Sequence, residues 1–518
     1  MKNLMFKIFI SLSLTILNLI VVKANSTLAQ DPSLPIEIEK ISLIGNKVFS
    51  DSELNRLVAP LEGKKVSLER LLQLRTEITD YYVERGYISS GAFLPPQELT
   101  DGTIEIQIVE GKLETIEIEG SSHINKRYIE SRLPVVGKPL KTEELTRALA
   151  LLKDNPLIKD VKANLRQSGC CNQILSVKLQ ENKSLTTQFS VNNTYSPSVG
   201  MLGGTANLNY HLLGFGDRAA LNFTKTEGLT RYNFGYSIPF NNRDGTISLN
   251  YTQADTKIIE EPVSALDIQA NYEAFELGVR QPIELNENNQ LAISAKIELI
   301  RSETFVQDDF SFAFVDGLED GRSKITAIRL LQEYFTQAES SSLALLSQFN
   351  IGVDLFNPTV TQIGIDGLFW NWQGQIQWLK KIERLLVVSN LNVQLSDDKL
   401  LPIEQISVGG TNNVRGYRQN LSIGDNGVIG TVELQIPVVE GEKWTIKVIP
   451  FVDAGTIWNN SAESIESNTL ASTGLGFSYE LDKSVKARLD YAIPLVKTPE
   501  NKELSSEQRV TFLLLLQP

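Results

Sequence analysis

Histidine and cysteine are almost missing from this chain: His123, His211, Cys170 and Cys171 are the full complement in 518 residues. A histidine-dependent triad or a Cys/His metal centre needs several such side chains converging, so both chemistries are excluded at the outset. A basic excess is missing too. The net charge is −13, and no run of lysine and arginine could neutralise a phosphate backbone, which excludes a nucleic-acid partner. Beyond the N-terminus no segment reaches the roughly 18 consecutive apolar residues of a helical membrane span. Residues 214–219 (GFGDRA) fit a loose dinucleotide fingerprint, but they join two strand-like runs and open no helix. Asp308-Asp309 and the acidic stretch 316–321 lack the ligand spacing of a calcium loop. The chain therefore reads as a non-enzyme with no cofactor, no metal and no small-molecule substrate.

What is present begins with a processing signal. Lys2 and Lys7 precede an apolar run from Ile8 to Val22, and Thr27-Leu28-Ala29 offers a small-residue cleavage site. Residues 1–29 read as a signal peptide, with an uncleaved anchor as the alternative, and residues 30–35 as a short linker. An exported chain without helical spans can reside in a membrane only as a closed barrel, because lipid offers no partner for an open sheet edge. Cys170 and Cys171 fall in a turn-like stretch, Ser168-Gly169-Cys170-Cys171-Asn172. The pair reads as a surface turn, and a vicinal or intermolecular bridge stays open.

From Ile36 to Lys183 the sequence repeats. A strand-like run ending at Gly45-Asn46 recurs 75 residues later, ending at Gly120-Ser121. Ser67-Leu-Glu-Arg predicts a helix start with Leu68, Leu71, Leu72 and Ile78 on one face, and Thr142-Glu-Glu-Leu repeats it with Leu145, Leu149 and Leu152. Each hydroxyl is placed to cap its helix ahead of acidic residues. Alternating runs, Thr103 to Val109 and Ile174 to Leu179, close the two units before Glu110-Gly-Lys112 and Glu181-Asn-Lys183. Strand, helix, helix, strand, strand, twice over, resembles tandem POTRA domains (36–112 and 113–183). The resemblance implies exposed strand edges to which an unfolded segment could add itself.

From residue 184 to 518 the period becomes two. Tyr232, Phe234, Tyr236, Ile238 and Phe240 alternate with Asn233, Gly235, Ser237 and Pro239; Leu291, Ile293, Ala295, Ile297 and Leu299 alternate with Ala292, Ser294, Lys296 and Glu298. Alternation alone fits a sandwich or a barrel, but the signal peptide and the aromatic residues on the apolar face favour a transmembrane antiparallel β-barrel. At about 20 residues per strand and loop, this stretch holds about 16 strands. Pro239, Pro282, Pro437 and Pro494 are placed to end strands at short periplasmic turns. The expected fold is thus α+β and all-β: two POTRA domains, then the barrel.

Within that barrel lies a loop sequence, Leu401-Pro-Ile-Glu-Gln-Ile-Ser-Val-Gly-Gly-Thr-Asn-Asn-Val-Arg-Gly-Tyr417. It is followed in order by Val432-Glu-Leu-Gln-Ile-Pro437, Pro450-Phe-Val-Asp-Ala-Gly455, Thr473-Gly-Leu-Gly-Phe477 and Asp490-Tyr-Ala-Ile-Pro-Leu495. This series resembles two-partner secretion transporters, the TpsB-type or haemolysin secretion/activation proteins. The resemblance implies that Val414, Arg415, Gly416 and Tyr417 form the tip of a loop folded into the barrel. Asp453 would be the wall partner of Arg415, with Phe451 and Gly455 completing the wall motif and Glu433 as a second candidate partner. A guanidinium fork suits a carboxylate bidentately, and Gly416 would let the backbone approach the wall closely. Phe451 shares a face with Asp453 by period two, yet is bulky for a lumen and could instead pack on the loop.

Members of that family often begin with a pore-plugging helix, for which residues 30–35 are too short, so the Arg415 loop is expected to close the pore. The terminal Phe512-Leu-Leu-Leu-Leu-Gln-Pro518 lacks the final aromatic usual in outer-membrane barrels. The implied function is secretion of an unfolded polypeptide cargo, a large β-helical exoprotein, across the outer membrane. Its partners would be that cargo and outer-membrane lipid, with the repeats in the periplasm. A barrel-assembly insertase and a passive porin are the alternatives.

Overall fold

The structure, a computed structural model, describes residues 35–518 except 98–100, 170, 287, 308–309, 314–317, 319–320, 362–363, 461–467, 483 and 499–508. The expected signal peptide, most of the linker, Asp308-Asp309 and residues 316–317 and 319–320 of the second acidic stretch lie outside the described residues. The chain divides into two compact units at Asn182/Lys183.

The first unit holds two copies of one topology. In the first copy, Lys40–Ile44 runs parallel to Thr103–Val109, whose other edge takes Gly91–Phe93 antiparallel. In the second, Leu113–Glu119 runs parallel to Asn172–Glu181, which pairs antiparallel with Ile158–Ser168. Helices Asp51–Val58 and Leu68–Glu84 cover the first sheet, and Lys126–Glu130 and Thr142–Asp154 accompany the second. Alternation in Thr103–Val109 buries Ile104, Ile106 and Ile108, and the helices bury their apolar stripes against them.

Two helical details differ from expectation. Leu71, Leu74, Ile78 and Tyr82 form the buried stripe of Leu68–Glu84, whereas Leu68 and Leu72 are exposed on its flank. Burial of Leu74 rotates the stripe away from Leu68 and Leu72, which lie to the other side of Leu71 on the helix. Ser67 does cap this helix, accepting from Arg70 N at 3.3 Å. Thr142 does not cap the second: its hydroxyl donates to Gly86 O at 2.9 Å, tying the second repeat's helix to the first repeat.

Each copy is closed by an acid at the end of its last strand. Glu110 Oε1 accepts the backbone N–H groups of Lys47 and Val48 at 2.7 Å each, and the Tyr82 hydroxyl at 2.9 Å. Glu181 does the same for Ser122, His123 and Ile124. Burial pushes the Glu181 carboxyl up, but the Ser122 hydroxyl and these three N–H groups outweigh it and hold it at about 2. Cys171, in the turn between Ile158–Ser168 and Asn172–Glu181, is held in a disulfide, while Cys170 lies outside the described residues.

In the second unit, among the described residues, sixteen antiparallel strands close into a barrel from Leu185–Asn192 to Val510–Leu516. The apolar face points outward. On Ile268–Leu285, Phe275, Leu277 and Val279 are exposed, while Glu276 turns inward to Lys296 at 3.0 Å. No helix among the described residues is long and apolar enough to cross a membrane. Short turns at one end of the barrel, such as 383–384 and 441–443, alternate with long loops at the other, of which 396–425 is the longest.

The prolines divide. Pro239 ends its strand as expected. Pro282 and Pro437 instead lie inside strands, beside bulges where the register shifts before Glu284 and Val439. A bulge interrupts the ladder, so the missing N–H of proline costs little there. Pro494 ends a strand at the long-loop end, opposite the short turns.

Candidate functional site

Loop 396–425 descends into the barrel and forms a small hairpin, Ile406–Val408 with Ser422–Gly424, that carries the tip between its strands. The wall facing the tip is Asn426–Glu440, Trp444–Trp458 and Thr469–Leu481. Period two settles what that wall presents. On Trp444–Trp458, Phe451, Asp453, Gly455 and Ile457 turn inward, while Val452 is 56 % exposed on the lipid side. On Asn426–Glu440, Ile429, Thr431 and Glu433 turn inward, and register places Glu433 beside Phe451 and Thr431 beside Asp453.

Arg415 meets this wall with its whole fork. Nε donates to Asp453 Oδ2 at 2.7 Å and Nη2 to Oδ1 at 2.6 Å, while the backbone N–H reaches Oδ2 at 3.2 Å. Nη1 donates to Glu433 Oε1 at 2.6 Å. Its Cζ lies 3.4 Å from the centroid of the Phe451 ring, a cation–π contact. Phe451 thus both faces the lumen and packs on the loop. Opposite it stands Gly474, where a Cβ would come within 2.3 Å of the ring. Asp453 is fully buried and Arg415 5 % exposed, so water does not separate the charges.

The neighbouring tip residues have separate tasks. Val414 is buried with Val408, Tyr417, Ile429, Ile457 and Leu470. Gly455 makes room for it, since a Cβ there would lie 3.0 Å from Val408 Cγ2 and 3.3 Å from Val414 Cγ2. Gly416 has φ +84°, which disfavours a side chain, and a Cβ would meet Ala492 and Pro494 at 3.1–3.2 Å. The Tyr417 hydroxyl contacts Ala471 O at 2.7 Å and Val496 O at 2.9 Å, and accepts from Val496 N at 3.0 Å.

Four further ionic contacts were not anticipated. Arg488 donates to Glu433 at 2.7 Å and to Asp490 at 2.8 Å, so two guanidiniums share three carboxylates around the tip. Arg418 pairs with Glu260 of the loop after Thr246–Lys257. Glu404, nearer the loop's start, pairs with Arg329. Arg488 and Asp490 alternate with apolar Ala487, Leu489 and Tyr491, and that inward charge on a lipid-facing strand was the available signal. In residues 214–219, the fully buried Asp217 accepts the N–H groups of Leu212 and Leu213 at 3.1 and 3.0 Å, so it organises a turn.

Taken together, a lipid-facing barrel, paired α/β repeats ahead of it and a charged loop clasped inside the lumen define an outer-membrane barrel protein with a loop folded into its lumen. Residues 172–479 match the haemolysin secretion/activation protein family (ShlB/FhaC/HecB), and residues 36–111 match the ShlB-type POTRA domain. The chain belongs to the haemolysin secretion/activation protein family. It is 22 % identical over 481 residues to the outer membrane transporter CdiB of Escherichia coli, covering 85 % of this chain and 76 % of that one. It is also 22 % identical over 524 residues to the heme/hemopexin transporter protein HuxB of Haemophilus influenzae, covering 92 % and 86 %. The solved structure of CdiB from Escherichia coli shares the fold with a TM-score of 0.72 at 20 % identity, over 96 % of this chain and 93 % of that one.

Proposed function

We propose that this chain is the outer-membrane transporter of a two-partner secretion pair. Its periplasmic repeats, 36–112 and 113–183, capture an unfolded exported polypeptide, and the barrel, 184–518, passes it to the cell surface. The cargo is a large exoprotein that folds into a β-helix outside. Its folding supplies the direction, because a chain that refolds outside cannot slide back.

The observation that carries this reading is the clasp of Arg415 by Asp453 and Glu433 inside the lumen. A loop held there obstructs the barrel, and a loop held by ion pairs can be released when a competing chain takes its place. Val414, Gly416 and Tyr417 fit the gate to the wall at Phe451 and Gly455. Capture is supported by the sheet order of the repeats. Ile158–Ser168 is an edge strand of 11 residues whose outer side has no strand partner among the described residues. An extended cargo segment added there gains main-chain hydrogen bonds without needing a particular sequence.

Membership of a secretion/activation family favours secretion over barrel assembly, and a loop clasped in the lumen is unlike a passive pore. The test is secretion, by cells carrying Arg415→Ala, of a β-helical exoprotein that the wild-type protein exports. The barrel is expected to insert and secretion to be lost; secretion at the wild-type level contradicts the reading.

A further inference from the structure

The loop is held at its foot as well as its tip, and the foot contact has the opposite polarity. At the tip a loop cation meets wall carboxylates. At the foot a loop carboxylate, Glu404, accepts from Arg329 Nη2 at 2.8 Å and Nη1 at 3.2 Å. Arg329 lies on the wall strand Arg322–Ala338, and its Nε donates to Glu298 Oε2 on the adjacent Asn289–Val306 at 2.6 Å. Glu404 is 5 % exposed, so this is no solvated surface pair. One guanidinium therefore separates two carboxylates, one from the wall and one from the loop.

The surroundings make the foot a fixed point. Gln394 Nε2 donates to Glu404 O at 2.9 Å and to Asp425 O at 3.0 Å, joining the start and the end of the loop to one wall residue. Asp425 in turn accepts from Leu400 N and Gln405 Nε2. Leu400 and Leu401 are buried with Ala274, Ile300, Ile325, Ala327 and Phe369, on a different wall sector from the cluster around Val414. The loop thus bridges two sectors of the barrel, with an apolar seat and an ion pair at each.

We infer that Arg329 is a second clasp, a positioning residue that pins the foot of the loop through Glu404 so that release at Arg415 swings the tip about a held base. This rests on the reading of the loop as the gate. The electrostatics give it a distinctive signature. Removing the Arg329 charge leaves Glu298 and Glu404 facing each other and pushes the foot off the wall. Removing the Glu404 charge leaves Arg329 still paired with Glu298.

The experiment is planar-bilayer conductance of the full-length protein, with heat-modifiable gel mobility confirming a folded barrel in each variant. Arg329→Gln is expected to raise the time spent in a high-conductance state roughly 5-fold or more. Glu404→Gln alone should raise it less, and Glu404→Gln added to Arg329→Gln should bring it back toward the wild-type value. Wild-type conductance in Arg329→Gln, or equal conductance in the single and double variants, overturns the second clasp. Arg415→Ala run alongside separates the two readings. If it opens the channel while Arg329→Gln does not, only the foot clasp fails; if neither opens it, the loop is not the gate.

Discussion

The two units of this chain use the same period-two alternation for opposite ends. In the N-terminal repeats, Ile104, Ile106 and Ile108 alternate with polar residues and are buried under helices. In the barrel, Phe275, Leu277 and Val279 alternate with Glu276 and Gly278 and are exposed, while the charges go inside. Alternation therefore reports two unlike environments without saying which one is water. A small α/β unit excludes water from hydrocarbon; a membrane barrel gives the hydrocarbon to lipid and keeps the charges for its lumen. Function follows the second choice, because only an interior with charged groups can clasp a loop by ion pairs.

The sharpest way to break this contrast is to remove a lumenal charge. Asp453→Ala leaves the Arg415 guanidinium buried with half its partners, and loosening of the loop by about 3–5 kcal/mol is expected. Protease accessibility of the loop at the tip measures it, and unchanged protection would show that the buried pair does not hold the loop. Next comes the dry core. Leu74→Ala removes a fully buried side chain and should cost about 2–5 kcal/mol in the N-terminal unit, read from the denaturation midpoint. Phe477→Ala on the outer face of the barrel leaves no enclosed cavity, so equal losses at both sites would erase the distinction.

Val452→Lys tests the lipid side directly. A lysine facing hydrocarbon should destabilise the barrel by about 2–4 kcal/mol if it sits near the bilayer midplane, read as barrel stability in lipid vesicles. A negligible effect would place that face in water.

The smallest expected effect is a dependence on pH. Glu181 in the folded repeat is held at about 2, below its unfolded value near 4.5, so its stabilisation is complete above about pH 4.5 and is lost as pH falls through about 2. Protection of the Ser122, His123 and Ile124 amides in the full chain, taken relative to intrinsic exchange at each pH, should therefore fall across that window, and Glu181→Gln should remove the dependence. Protection that falls equally in the variant would assign the effect to another group.

Much of this organisation can be read from residues alone, and the misses have physical reasons. The 75-residue recurrence and the change from helical to strand period mark the two units because burial imposes a pattern on both. Arg415 stands out because glycines, asparagines and an arginine are an unusual loop in a chain that otherwise alternates. Arg329, Glu404 and Arg488 do not stand out. Inward charges recur on many strands, and which of them meet depends on register and on where the loop lands. Pro282 and Pro437 misled for a related reason, since a bulge and a strand end relax the same hydrogen-bonding demand. The exposure of Leu68 and Leu72 was hidden because choosing between neighbouring stripes of one helix requires knowing the sheet beneath it.

The most direct test is to lock the loop to the wall and ask whether the transporter still works. Val414 Cγ2 lies 3.3 Å from the position of a Cβ at residue 455, so Val414→Cys with Gly455→Cys brings two thiols within bonding reach. Oxidised cells carrying both substitutions are expected to insert the barrel but secrete no cargo, and reductant is expected to restore secretion. Secretion that proceeds equally with the bridge closed would contradict the loop's role as the gate.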